Sequence, residues 1–439
     1  MKNHVVFESK LGSYPEPANE LGILTKDFLF WQHEGIKQQL RLNDVVGTSL
    51  VNRGANDRAT LMVLAYPKRQ VGLLKKKTRR ILQEYCFTCL DLATRSQWQL
   101  AINNTLLDKP VEAVVKPRHL QVIINPTSGK KKAAQIFEAV RPLFDRSNLT
   151  YVVSQTKSLA DTKNLVHNLN LFDIDGLVIV GGDGTIHDAI AGLMSRSDWE
   201  QAIKLPLGII PGGTGNGLCK SLLELSGESY DPLNAAFLIV KGKQQSLDLA
   251  TVKQHNLKYY SFLSLSWGLV SDVDIKSEKL KILGALRFDI YTLLLLGSLR
   301  TYRGRFSFIP HLDCKISSEQ TIADRREWKV IEDEFIFIWA MNTAWAAHDM
   351  NVTPHAQIND GAMDVLVMRK EASRLEVLQA LLRFGTGEHL DLPHMEYYKV
   401  TAFRLEPLTD KGILVVDGEL VEYLPIEMEV IPRLACVNC

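Results

Sequence analysis

The sequence is short of several things at once. It has no dominant charge: 51 Lys and Arg against 50 Asp and Glu leave a formal net charge of +1 over 439 residues. Such a chain projects no global field for a polyanion, so nucleic acid is not an expected partner. It has no long apolar run either. The longest charge-free apolar stretch, roughly Ile290 to Leu299, is about half of what a helical membrane span needs. The first residues, M-K-N-H-V-V-F-E-S-K, contain no apolar core of a secretory signal. Cysteine is sparse, six in all, and four of them form two C-x-x-C pairs, Cys86 with Cys89 and Cys436 with Cys439. Neither pair sits in a glycine-rich knuckle. C-F-T-C reads as strand, where positions i and i+3 face opposite sides, so neither zinc nor a disulfide framework is expected. Internal repeats and low-complexity segments are absent. What is left is the composition of an ordinary globular protein, 46% hydrophobic and 23% charged. The length allows two or three domains, and the expected setting is the reducing cytoplasm.

Three regions follow one another. Residues 1–115 hold short apolar segments such as V-V-G-T-S-L-V and T-L-M-V-L-A-Y between turn signals, then a helix with Trp98, Ile102 and Leu106 spaced four apart. Strands closed by one helix predict a β-rich, pleckstrin-homology-like module. Its basic run Lys75, Lys76, Lys77, Arg79, Arg80 is either a solvated hairpin tip or a contact for anionic headgroups at a membrane surface. Residues 118–250 alternate strands rich in β-branched residues with helices of ten or so, which predicts a doubly wound, Rossmann-like parallel sheet. Residues 251–439 read mostly as strands, and predict an antiparallel β-rich domain. The fold class expected is therefore α/β plus β.

Three glycine-bearing loops fall at the carboxyl edge of the parallel sheet, where ligands of such sheets bind. They are N-P-T-S-G-K at 125–130, G-G-D-G-T at 181–185 and P-G-G-T-G-N-G at 211–217. Glycines let backbone N–H groups approach phosphate oxygens, and the helix that follows adds a partial positive charge. The first loop is not a Walker loop: the leading glycine is missing and Lys131 replaces Ser or Thr. The third fails the dinucleotide fingerprint, because Leu218 stands three after Gly215. Asp183 is the anomaly, since a carboxylate among phosphate-binding amides repels phosphate unless it has another task. Holding magnesium and taking a proton from an attacking hydroxyl both fit. Capping the next helix also suits an acid, but Asp183 or Thr185 could do that, so capping alone does not call for an acid.

With these loops in place, G-G-D-G-T-I-H-D resembles the catalytic domain of the diacylglycerol and sphingosine lipid kinase family. NAD kinases and phosphofructokinases carry a related loop. The stretches S-L-S-W-G-L-V-S-D-V-D-I-K-S-E-K, L-G-A-L-R-F, L-R-T-Y-R-G-R, T-A-F-R-L-E-P and V-V-D-G-E-L resemble the sphingosine kinases in particular. The likeness covers about residues 118 to 424. It implies transfer of the γ-phosphoryl of ATP, with magnesium, to the primary hydroxyl of a sphingoid base, by a protein peripherally attached to membranes. A ceramide or diacylglycerol kinase is the alternative, with NAD kinase behind it.

By the resemblance, Asp183 is the general base, while Gly181, Gly182 and Gly184 shape its loop against phosphates and substrate head. Asn125, Pro126, Thr127, Thr156, Lys157, Ser158 and Leu159 line the nucleotide, as do Gly213, Thr214 and Gly215. Asp188 corresponds to a family glutamate facing the nucleotide. Lys281 and Arg287 match two basic positions that reach the phosphates; the first is usually arginine, and lysine lacks its bidentate fork. Asp417, Gly418 and Glu419 match a V-D-G-E motif folded back onto the nucleotide and metal region. Gly181 stands where many sphingosine kinases have serine. Asp274 matches the position facing the lipid ammonium, which wants a carboxylate when buried, with Asp272 expected one strand step away on the same face. Phe288 matches a residue of the tail's sleeve, and His389 a histidine near the lipid.

Overall fold

The computed structural model describes residues 4–50, 59–71, 77–128, 131–156, 159–277, 297, 299–311 and 327–439. Its first strands are β1 (Val5–Ser13), β2 (Leu21–Thr25), β3 (Phe28–His33), β4 (Ile36–Arg41), β5 (Val45–Leu50), β6 (Thr60–Ala65), β7 (Lys68–Val71), β8 (Lys77–Arg80) and β9 (Gln83–Cys89). Seven of them form an antiparallel sheet in the order β4-β3-β2-β1-β9-β6-β5, while β7 and β8 pair separately. Helix α1 (Leu92–Leu106) is capped by Asp91, whose carboxylate accepts from Thr94 N at 2.7 Å. It buries Trp98, Ala101 and Ile102 against Leu11, Leu61 and Phe87 of the sheet. Cys89 lies in that core, and burial pushes its thiol up to about 12.

The α/β layer comprises β10 (Arg118–Ile124), α2 (Ala133–Asp145), β11 (Leu149–Gln155), α3 (Leu159–His167), β12 (Gly176–Gly181), α4 (Asp183–Met194), α5 (Trp199–Ala202), β13 (Leu207–Pro211), α6 (Gly217–Leu225) and α7 (Pro232–Lys241). The four strands are parallel in the order β11-β10-β12-β13. In β10, β12 and β13 the side chains alternate between two buried faces, as a doubly wound sheet requires, while the edge strand β11 is partly exposed. Val122, Ile124, Val178, Val180 and Ile210 pack with Phe137 of α2 and Phe237 of α7. Ile123, Leu177, Ile179 and Ile209 pack with Ile186 of α4 and Leu222 of α6.

The remainder holds β14 (Gln244–Gln254), β15 (Leu257–Ser261), β16 (Ser264–Gly268), α8 (Leu269–Ser277), β17 (Tyr302–Pro310), β18 (Lys329–Met341), β19 (Trp345–Ala347), β20 (Met350–Asn351), β21 (Met363–Arg369), α9 (Arg374–Arg383), β22 (Met395–Pro407), β23 (Leu414–Val416), β24 (Glu419–Val421) and β25 (Ile426–Asn438). Most of these strands are antiparallel and enclose a core of Trp267, Phe306, Phe335 and Phe403. Strand β25 joins the two sheets: it pairs antiparallel with β14 and β22, and parallel with β13 through Leu207 and Val437. The boundary drawn at 250 falls inside β14, which that same strand holds.

The N-terminal module is clamped onto the α/β layer by Arg80. Its Nη1 donates to Asp44 Oδ1 (2.8 Å) and Tyr66 O (2.6 Å), and its Nη2 to Glu228 Oε1 (2.7 Å). The guanidinium lies 3.6 Å over the Phe237 ring. This corrects the headgroup reading for one residue of the basic run: Arg80 is buried and fully engaged, whereas Arg79 is exposed, 3.4 Å from Asp231. Lys75 and Lys76 lie outside the described residues.

Candidate active site

The strand order places the reversal of crossover direction between β10 and β12, where such sheets open a crevice. Three loops meet there. Asn125, at the end of β10, is buried; its Oδ1 accepts from Thr127 N (3.1 Å) and Oγ1 (2.7 Å), and its Nδ2 donates to Thr185 Oγ1 (3.1 Å). Asn125 thus ties the first loop to α4, leaving Thr127 exposed and Pro126 half-buried. Thr156, after β11, is buried and donates its N–H to Ile124 O at 3.0 Å. At Gly182 and Gly213 the second and third loops touch backbone to backbone. A Cβ on Gly213 would stand 2.3 Å from Gly182 Cα, and one on Gly182 3.1 Å from Gly213 Cα. Gly212 N also donates to Gly181 O at 2.8 Å. Part of the glycine requirement is therefore loop against loop, with Thr214 exposed at the crest. Gly181 is tight as well, since a Cβ there would meet Thr185 Oγ1 at 2.7 Å.

Neither Asp183 nor Thr185 caps the helix they begin. The N-cap of α4 is Gly182, without a side-chain cap. The Asp183 carboxylate instead reaches across to the start of α6, where Oδ2 accepts from Gly217 N at 2.9 Å. Asn216, just before, takes a left-handed φ of 60° and holds the loop by accepting from Gly213 N (3.2 Å) and donating to Gly213 O (2.8 Å). Asp183 Oδ1 is shut off from solvent and, among the described residues, engages no hydrogen-bond donor. Burial pushes the carboxyl pKa up to about 6, against the backbone N–H groups of Gly217, Leu218 and Asn216 that pull it down. A carboxylate with one oxygen fixed by a helix N-terminus and the other uncommitted is oriented to accept a proton.

Around it stands a group of ionisable residues from both layers. Asp417 and Gly418 form the two-residue turn between β23 and β24, with φ of 51° and 85°, as an Asp-Gly hairpin turn demands. The buried Asp417 carboxylate accepts from Ser261 Oγ (2.7 Å) and from the N–H groups of Phe262 (3.1 Å), Leu263 (3.0 Å) and Ser264 (2.9 Å). It also engages His187 Nδ1 at 3.0 Å. Burial works against a charged imidazole at His187, but Asp417, Asp188 and Glu419 outweigh it and raise its pKa. Asp188 is pushed up to about 6, first by burial, with His187 lowering and Glu419 raising it. Glu419 is exposed and lies 3.4 Å from where a Gly184 Cβ would be. Of the D-G-E turn, then, the aspartate is consumed in holding the 261–264 turn and His187, and the glutamate faces the loop. His187 escaped the sequence reading. Its signal was its place four residues after Asp183, on the same face of a helix.

The remaining expected residues, of the nucleotide and lipid sides, fall into two groups. Lys157, Ser158, Lys281, Arg287 and Phe288 lie outside the described residues. Leu159 begins α3. The S-D-V-D stretch is helical, not strand, because Gly268 at φ 81° ends β16 and α8 starts at Leu269. Asp272 and Asp274 are therefore separated by about 200° around a helix and do not share a face. Asp272 is buried and accepts a hydrogen bond from Tyr302 Oη, while Asp274 is half-buried. His389 is fully buried beside α9, with Nε2 2.7 Å from Val352 O and its ring edge-on to Phe384. Burial lowers its pKa.

Residues 119–252 match the diacylglycerol kinase catalytic domain, and residues 277–438 the YegS C-terminal NAD kinase beta sandwich-like domain. A diacylglycerol kinase structure from Bacillus anthracis str. Sterne superposes with a TM-score of 0.52 at 17% identity, covering 74% of this chain and 98% of that one, which speaks for the fold. Sphingosine kinase 1 of Arabidopsis thaliana is 35% identical over 77% of this chain and 74% of its own length. Sphingosine kinase 1 of Homo sapiens is 32% identical over 74% of this chain and 91% of its own. A lipid-kinase catalytic domain, a β-rich partner that completes its sheet, and this likeness along most of both lengths agree: the chain belongs to the sphingosine kinase family.

Proposed function

We propose that the protein transfers the γ-phosphoryl of ATP to the primary hydroxyl of a sphingoid base, with Asp183 as the general base. The observation that carries this reading is the uncommitted, solvent-shielded Oδ1 of Asp183 at the meeting point of three glycine loops. In the forward step the hydroxyl proton passes to Oδ1, the substrate oxygen bonds to phosphorus, and the bond from phosphorus to the ADP oxygen breaks. A pKa near 6 leaves Asp183 mostly ionised at neutral pH and still basic enough to help.

The residues present fit a magnesium nucleotide. Backbone-lined loops offer the phosphates room without a Cβ, and Asp188 and Glu419 are a mutually repelling pair of carboxylates that would hold the metal. Bound there, magnesium supplies neutralisation of the charge that develops on the transferring group. Asn125, Pro126, Thr127, Thr156, Gly213, Thr214 and Gly215 are read as lining the nucleotide, and Asp274 as facing the lipid ammonium. The N-terminal sheet and helix suit a pleckstrin-homology-like module, and a cytoplasmic protein that visits the membrane suits the substrate. Among the described residues no helix is long and apolar enough to cross a membrane.

The test is a radiolabelled-phosphate assay across sphingosine, phytosphingosine, ceramide, diacylglycerol and NAD. Labelling of the two sphingoid bases above the rest is expected. Preferred labelling of ceramide or diacylglycerol would move the protein to a sister activity.

A further inference from the structure

Strands β19 and β20 form a small two-stranded hairpin of the C-terminal domain that reaches onto the α/β layer. It grips the segment that holds the Asp183 carboxylate. Ala347 bridges Asn216, and His348 N donates to Gly215 O at 3.2 Å. A Cβ on Gly217 would stand 2.4 Å from Trp345 O, so hairpin and α6 are in backbone contact. The buried Ser221 hydroxyl pins them: it accepts from Trp345 N (3.3 Å) and donates to Gly217 O (3.0 Å). Lys220 Nζ lies 4.2 Å over the Trp345 ring, and His348 stacks on Tyr230 at 5.3 Å.

The other side of the hairpin rests on the segment that carries His389. Asn351 N donates to Phe384 O at 2.7 Å, and the next residue, Val352, offers its carbonyl to His389 Nε2. One short run of backbone therefore touches both the donor of the base and the helix end on the lipid side. Nothing in the phosphoryl-transfer step itself needs such a contact.

We propose that the β19–β20 hairpin is the positioning element of the base, acting through Ser221 and Gly217 to hold Asp183 Oδ2 and so aim Oδ1. Ser221 and Trp345 are positioning residues; they act on Asp183 only through the start of α6. The inference rests on the reading of Asp183 as the base.

Ser221→Ala removes the pin and keeps the helix. It is expected to lower kcat about tenfold, since small misplacements of a reacting group are costly, with KM for ATP within about twofold. The Gly217 N–H bond lowers the Asp183 pKa. Loosening it moves the acid limb of the kcat–pH profile upward by about half a unit. Ser221→Thr, which keeps the hydroxyl, restores most of both. Ser221→Cys keeps the volume with a weaker hydrogen-bonding group and moves both readouts the same way, so the test stands if the alanine variant does not fold. A Ser221→Ala or Ser221→Cys enzyme with a lower melting temperature but unchanged kcat and acid limb overturns the inference. Asp183→Asn, assayed in parallel, separates the two readings. An active Asp183→Asn enzyme sinks the base assignment, whereas an inactive one beside an unmoved Ser221 series sinks only the hairpin's role.

Discussion

His187 Nδ1 lies 3.0 Å from Asp417 Oδ2, joining the helix behind the G-G-D-G-T loop to the hairpin turn of the C-terminal sheet. The same carboxylate collects four further donors from Ser261 to Ser264. Asp417→Ala leaves those donors buried and unpaired, and is expected to cost about 3 kcal/mol of stability. Asp417→Asn, which keeps an acceptor oxygen, costs less. Chemical denaturation of the two variants checks the order.

Asp183→Asn is expected to lower turnover by about a thousandfold while ATP and lipid still bind, because the amide oxygen can accept from Gly217 as the carboxylate does. The base must be deprotonated to work. With its pKa raised to about 6, wild-type activity falls as pH drops through that value and levels off above it. A pH–rate profile flat between 5 and 7 contradicts the assignment.

Glycine substitutions at the site separate by geometry. Gly213→Ala drives a methyl to 2.3 Å of Gly182 Cα, so backbone must move, at a cost of about 1–3 kcal/mol and with weakened ATP binding. Gly184→Ala meets only the flexible end of Glu419 at 3.4 Å and changes stability little. Calorimetric ATP titration of both variants reads the contrast.

Arg80→Ala strips Asp44 of its guanidinium partner and leaves Glu228 with Lys68 alone at the junction of module and α/β layer. The expected loss is about 3 kcal/mol, with faster amide exchange over β5, β8 and α7. Binding to anionic vesicles is expected to be unchanged by Arg80→Met, since the guanidinium is not free to meet a headgroup. A vesicle-binding defect in a stably folded Arg80→Met protein argues otherwise.

Asp274→Asn is expected to raise KM for sphingosine far more than KM for ATP, as removal of an ammonium partner should. Equal effects on the two constants would point to a structural role. Asp272→Asn is expected to behave differently, lowering stability through its Tyr302 contact.

Much of the nucleotide layer was legible because three of its four strands, β10, β12 and β13, are buried on both faces and carry apolar runs, as in L-V-I-V before Gly181. The glycine loops were legible for the same reason, since each follows such a run. The S-D-V-D stretch misled because its helix is started by a left-handed glycine and a buried tyrosine contact, neither of which a period-two pattern reveals. Arg80 misled because a basic run looks alike whether solvated or buried against acids from distant parts of the chain. The hairpin on α6 carries no local signal at all, as its meaning lies in backbone contacts between residues more than a hundred positions apart.

Strand β25 pairs with β13 of the nucleotide sheet as well as with β14 and β22. On a ribosome, then, the edge of β13 stays open until nearly all of the C-terminal domain has been made. A fragment stopped at the apparent domain boundary would carry every phosphate loop and still expose an unpaired strand edge, a template for aggregation. Completion of the nucleotide sheet thus waits on strand β25, which comes after every phosphate loop in the chain.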